Sequence, residues 1–136
     1  MTGTTDTSSV TVDNTAPVAP VISNSNQIIN AASIAINGTA ETGAMVSIYS
    51  GASLVATGTS NGSFSIATPL AEGANTLVAY ATDAMGNVSI ASNSVTITRD
   101  SMALSASITY STTGWTSGSV VATISFNKTG VIVDNN

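Results

Sequence analysis

The chain has 136 residues and a formal net charge of −5; 43% of residues are hydrophobic, only 7% are charged, and there is neither His nor Cys. Its two basic residues, Arg99 and Lys128, cannot neutralise a run of phosphates, so nucleic acid is not an expected partner, and no run approaches the roughly 18 apolar residues of a membrane span. Lack of His and Cys removes a Ser-His-Asp triad, disulfide staples and the usual zinc or copper donors, while the wealth of Ala, Val, Ile, Ser, Thr, Asn and Gly fits short strands joined by polar turns.

Period-2 alternation recurs along the chain between turn signals, and helical periodicity does not. "SVTVD" (9–13) reappears as "SVTITRD" (94–100), about one module later, so residues 1–13 read as the end strand of a preceding module and its linker. A strand is expected over 19–23, at an edge where Pro17 and Pro20 are tolerated. The next covers 32–37, with Ile34 and Ile36 on one face, and another covers 44–50, with Ala44, Val46 and Ile48 inward. Gly51-Ala52 turns the chain into 53–58, and Asn61-Gly62 predicts a hairpin into 63–68, where Phe64 and Ile66 face the core. Residues 69–75 cross between sheets. Strands over 76–83, with Leu77, Ala79 and Ala81 inward, and over 88–98 complete the set.

Seven such strands predict an all-β immunoglobulin-like β-sandwich over residues 14–100. Residues 101–136 offer about three more strands, "SASITY", "SVVATISF" and "GVIV", and read as a partial second Ig-like module.

"VTVDNTAPVAPVI", "INGTAETGAMVSIYSG", "GSFSIATPLAEGANTLVAYATDAMGNVS" and "SVTITRD" resemble, in this order, the bacterial Ig-like repeats of large surface adhesins and biofilm proteins. The resemblance covers residues 9–100; the segment after it is similar to a related repeat. It implies tandem sandwich modules that carry a binding tip away from the cell, with calcium stiffening the junctions in many members.

Strand parity tests that implication on these residues. With strands running up and down, successive connections alternate between the two ends of a sandwich. Asp13 precedes the first strand, Glu41 lies in "GTAETGA" and Asp83 starts the "DAMGN" turn, so all three fall at one pole. Glu72 and Asp100 fall at the other. Carboxylates sharing a pole repel one another, and a hard cation that takes roughly six to eight oxygens would relieve this. The expected metal set is therefore Asp13, Glu41 and Asp83 with Asn14 and Asn87 as amide or carbonyl donors, and Asp100 at the second junction, with Ca²⁺ as the ion. The simpler reading is that Asp and Asn serve their turns through the local backbone, and Arg99 beside Asp100 points to an ion pair there.

The function expected is a non-enzymatic structural stalk module of a bacterial cell-surface adhesin, with neighbouring Ig-like modules of the same chain as its partners. A carbohydrate- or receptor-binding accessory domain is the alternative, with Tyr49, Tyr80 and Trp115 as its candidate aromatic platform. A filament subunit that donates residues 8–12 to a neighbour is a third. The first ten residues carry neither the basic nor the apolar region of a secretory signal, so an extracellular location calls for a longer exported chain or another route.

Overall fold

The computed structural model describes residues 12–111, 117–118 and 121–129, in two compact units divided between Ser101 and Met102. The expected strands at 8–12 and "GVIV", and Trp115, lie wholly or largely outside these residues. Among those described, there is no helix long and apolar enough to cross a membrane.

The first unit holds eight strands: β1 (Val21–Ile22), β2 (Gln27–Ile29), β3 (Ser33–Thr39), β4 (Met45–Ser50), β5 (Ser53–Thr59), β6 (Ser63–Pro69), β7 (Gly73–Thr82) and β8 (Val95–Arg99). They form a three-stranded sheet, β1-β3-β6, and a five-stranded sheet, β2-β8-β7-β4-β5. All pairings are antiparallel except β2 with β8. The inward residues of the two sheets make one core: Ile22, Ile36, Phe64 and Ile66 face Val46, Ile48, Leu77, Ala79, Val95 and Ile97. Strict alternation carries this through β6, where Phe64, Ile66 and Thr68 are buried and their neighbours are exposed. The predicted all-β Ig-like sandwich is the observed fold.

Three local expectations change. The first strand is split: β1 lies in one sheet, and the chain then crosses to run as β2 along the edge of the other. Its sequence, "QII", shows no alternation because Ile28 is exposed on that edge and only Ile29 is partly buried. Next, Asn61-Gly62 does not close a hairpin. Gly62 has φ +101°, as that signal requires, but β5 and β6 belong to different sheets and the turn is a corner between them.

Finally, the predicted strand over 88–98 is regular only from Val95. Ahead of it, Ser89 and Ser92 each imitate a ladder residue. The Ser89 N–H donates to the Ala81 carbonyl (2.9 Å) and its Oγ accepts the Ala81 N–H (2.9 Å). Ser92 does the same at Ala79. Three residues of one segment thus advance against two of β7, so alternation there carries no register.

Within the three-stranded sheet, β3 comes unusually close to its neighbours β1 and β6 at Gly38. A methyl group there would strike the Val21 carbonyl oxygen and the Phe64 ring. Both obstacles sit in the core or its backbone and cannot swing away.

In the second unit, β9 (Ala106–Tyr110) and β10 (Ala122–Phe126) form an antiparallel hairpin with Ile108 opposite Ile124. Its register puts Ala106, Ile108, Tyr110, Ala122, Ile124 and Phe126 on one face and Ser107, Thr109, Thr123 and Ser125 on the other. Ile108 and Ile124, on the apolar face, are exposed.

Gly38→Ala should destabilise the first unit by about 1–3 kcal/mol, the usual cost of overpacking, in denaturant unfolding. An unchanged midpoint would show that β1 does not pack against β3 this closely.

Candidate functional site

The five-residue turn after β7 answers why position 83 is aspartate. Asp83 Oδ1 accepts the backbone N–H groups of Met85 and Asn87, both at 2.8 Å, and Oδ2 accepts the Asn87 side-chain amide at 2.8 Å. Gly86 supplies the positive φ, +91°, that the turn needs. Only a carboxylate presents two oxygens that are purely acceptors; Asn at this position would set one amide nitrogen against another. These bonds favour the ionised form and hold the Asp83 carboxyl below its usual range, with the Asn87 side chain the largest cause.

Asn87 reaches further. Its Nδ2 also donates to the Asp13 carbonyl oxygen at 3.0 Å, across 74 residues of sequence. Asp13 Oδ1 in turn accepts the Thr15 N–H at 2.9 Å, shaping the incoming segment, and Pro17 is buried just beyond. The amide nitrogen of Asn87 therefore sits between the Asp13 carbonyl and the Asp83 carboxylate. It is a clamp on the incoming linker.

Asp13, Glu41 and Asp83 do share this pole, and all three line a shallow depression of about 280 Å³ with no Lys or Arg in its walls. Glu41 is exposed in the β3–β4 loop, where its carbonyl accepts the Ala44 N–H, and Asn14 is exposed beside Asp13. Among the described residues, no three Asp or Glu side chains come close enough to hold one metal ion. N–H donors meet much of the carboxylate demand that the sequence reading assigned to a cation.

The opposite pole carries a second clamp. β7 is ten residues long, about 33 Å at strand rise, so the loop before it and the turn after it mark opposite ends of the module. At the start of β7, next to that loop, Asn75, only 4% exposed, uses its whole amide: Oδ1 accepts the Ala71 N–H (3.0 Å), and Nδ2 donates to the carbonyls of Ala71, Gly73 and Ile97 at 2.9, 2.9 and 3.2 Å. The loop so fixed presents Glu72, whose carboxylate accepts the Ser101 N–H at 2.9 Å and the Ser101 hydroxyl at 2.8 Å.

Arg99 Nε lies 3.6 Å from the Glu72 carboxylate, and its Nη1 donates to the Leu70 carbonyl at 3.3 Å. Arg99 thus forms an ion pair with Glu72. Asp100 itself is half-buried, with its backbone N–H donating to Ile29 at 2.8 Å. Hydrogen bonds from Ser101, the backbone one first, hold Glu72 below its usual range, and Arg99 adds to this.

Asn75 and Ser101 were not singled out by the sequence reading. A buried Asn beside Gly73, whose φ is +89°, is the signal that could have found Asn75; Ser101 leaves no mark in the sequence.

Residues 16–99 match a family described as Bacterial Ig domain. No curated protein matches the chain.

Asn75→Ala should cost about 2 kcal/mol in denaturant unfolding, because it strips a partner from the buried Ile97 carbonyl and removes the bonds that shape the Ala71–Gly73 loop. Asn87→Ala should leave the unfolding midpoint nearly unchanged while hydrogen exchange at Thr15 speeds up. Slow exchange retained at Thr15 in Asn87→Ala would mean that the linker is held by something else.

A pH prediction follows from the two depressed carboxyls. Their contribution is complete above the ordinary values of 4.5 for Glu72 and 3.8 for Asp83, and is lost as pH falls through the lower folded-state values. Melting temperature should drop on acidification below those values, and less steeply in the Glu72→Gln, Asp83→Asn double variant. Equal acid slopes for both proteins would contradict it.

Proposed function

Because the chain belongs to the bacterial Ig domain family, we propose that it serves as a non-enzymatic structural stalk module of a bacterial cell-surface adhesin. The observation that supports this best is the pair of clamps. The incoming segment is held by Asn87 at one pole and the outgoing Ser101 by Glu72 at the other, with β7 running between them. A module that fixes both of its own linkers sets the spacing and direction of whatever precedes and follows it. Pull applied along the chain enters and leaves at opposite ends, so it loads the module lengthwise. Its partners on this reading are the neighbouring modules of the same chain, and its place is outside the cell.

Calcium at the incoming junction forms part of the same proposal. It rests on the shared position of Asp13, Glu41 and Asp83 around a depression that no basic side chain lines. The three carboxylates do not converge on one point, so Asp13 or Glu41, with nearby carbonyls and water, would hold the ion beside Asp83. Bound there, it would supply the positive charge that hydrogen bonds alone leave only partly compensated.

Two measurements test these parts separately. Antibody against the chain should label intact, unpermeabilised cells of the source bacterium; labelling only after permeabilisation would overturn the surface role. Calcium added to chelator-treated protein should raise the melting temperature and slow hydrogen exchange at residues 13–15, and Asp13→Asn with Glu41→Gln should abolish the gain. An identical melting curve with calcium and with excess chelator would remove the ion from the proposal while leaving the clamps in place.

A further inference from the structure

The outer face of the five-stranded sheet carries an aromatic pair that the stalk role does not use. Tyr49 on β4 and Tyr80 on β7 stand edge to face, with ring centroids 5.6 Å apart and planes at 87°. The register explains how they meet: Ser47 lies opposite Tyr80, and Tyr49 opposite Val78, so the two rings are diagonal neighbours on one face.

Their surroundings are small. Ser47 and Thr82 flank the pair along the strands, the Gly51-Ala52 turn closes one end and Val88 the other, and together they line a groove of about 410 Å³. Both rings are partly exposed. From Thr82, opposite Met45, to the turn after Ser50 the groove follows all six residues of β4, roughly 17 Å from the first to the last at strand rise.

We propose that this groove binds a neutral oligosaccharide. Its lining holds no Asp, Glu, Lys or Arg, so an ionic ligand finds no counter-charge. Its chemistry is aromatic surface with hydroxyl groups: the Tyr faces suit the apolar C–H side of a sugar ring, and the hydroxyls of Ser47, Thr82 and the two Tyr suit its rim of O–H groups. A peptide added as a strand has no template here. β4 is paired on both sides, with β7 and β5, and β7 is paired with β4 and β8, so neither strand offers a free backbone edge beneath the rings. The perpendicular rings make a corner that offers one face for stacking and a second phenol for hydrogen bonding. This site lies on the flank of the module and does not depend on the stalk reading.

The test is a titration of the full chain, labelled with ¹⁵N, using chitotetraose, cellotetraose and maltotetraose in the millimolar range, followed by screening on a neutral glycan array. At least one neutral glycan should bind saturably, with amide shifts centred on Ser47, Gly51 and Thr82. Tyr49→Ala should weaken that binding by about tenfold or more, the cost of removing an aromatic anchor. Ala52→Arg should block the groove from an exposed turn without touching the pair, so loss of binding there cannot be ascribed to unfolding. Absence of binding to every neutral glycan, shifts reproduced by glycerol, or binding that survives both substitutions would each overturn the proposal.

Discussion

A buried peptide group must have a hydrogen-bond partner, and this fold repeatedly stops or shifts a ladder inside a small body. The chain changes sheets at every step from β1 to β4, and again between β5 and β6 and between β6 and β7. At each change, backbone groups lose their regular partners. Side-chain amides and hydroxyls take over. Asn93 is the clearest case: its Oδ1 accepts the Ile22 N–H at 2.8 Å and its Nδ2 donates to the Ile22 carbonyl at 3.0 Å, as an opposing residue in a ladder would do. It ties the segment before β8 to β1 of the other sheet.

Asn24 bridges the backbone of Ala35 and Asn37 in the same way, and Asn26 accepts the Thr96 N–H just before β2. Asn75, Ser89 and Ser92 extend the pattern. A chain with 7% charged residues and no Cys has few ionic or covalent means of closing its edges. Its Asn and Ser content is therefore structural as much as it is solvating. The acids are used in the same manner: Asp83 and Glu72 act as multiple acceptors for N–H and O–H donors, each on a turn that reaches a linker.

The sandwich was legible in the sequence because alternation is strict where strands are regular. Ile36, Val46, Ile48, Phe64, Ile66, Leu77 and Ala79 all take the inward positions that the pattern assigns them. The common pole of Asp13, Glu41 and Asp83 was legible too, since parity survives as long as the connections alternate. Adding β2 did not disturb it, because β2 is a detour along the edge within the first connection. What the sequence hid was the partner of each acid. Repulsion among like charges can be answered by a cation or by N–H groups, and composition does not separate the two. The split first strand and the serine-mediated segment before β8 were hidden for a related reason: side chains there imitate backbone, so the residue pattern no longer reports which face is buried.

Among the described residues the hairpin of the second unit alternates in sequence as cleanly as β6, with Ile108 and Ile124 exposed on its apolar face. The first unit's stability rests on bringing two walls together and then sealing the places where they exchange strands. The clamps on residues 13 and 101 are the outermost of these seals, and they make the linkers part of the body. Residual dipolar couplings in a weakly aligned sample measure this directly. Amide couplings of residues 13–16 and of Ser101 should fit the same alignment tensor as those of β4 and β7. Couplings averaged towards zero at both ends, beside a well-ordered sandwich, would show that the linkers swing freely and that the clamps do not set the direction of the chain.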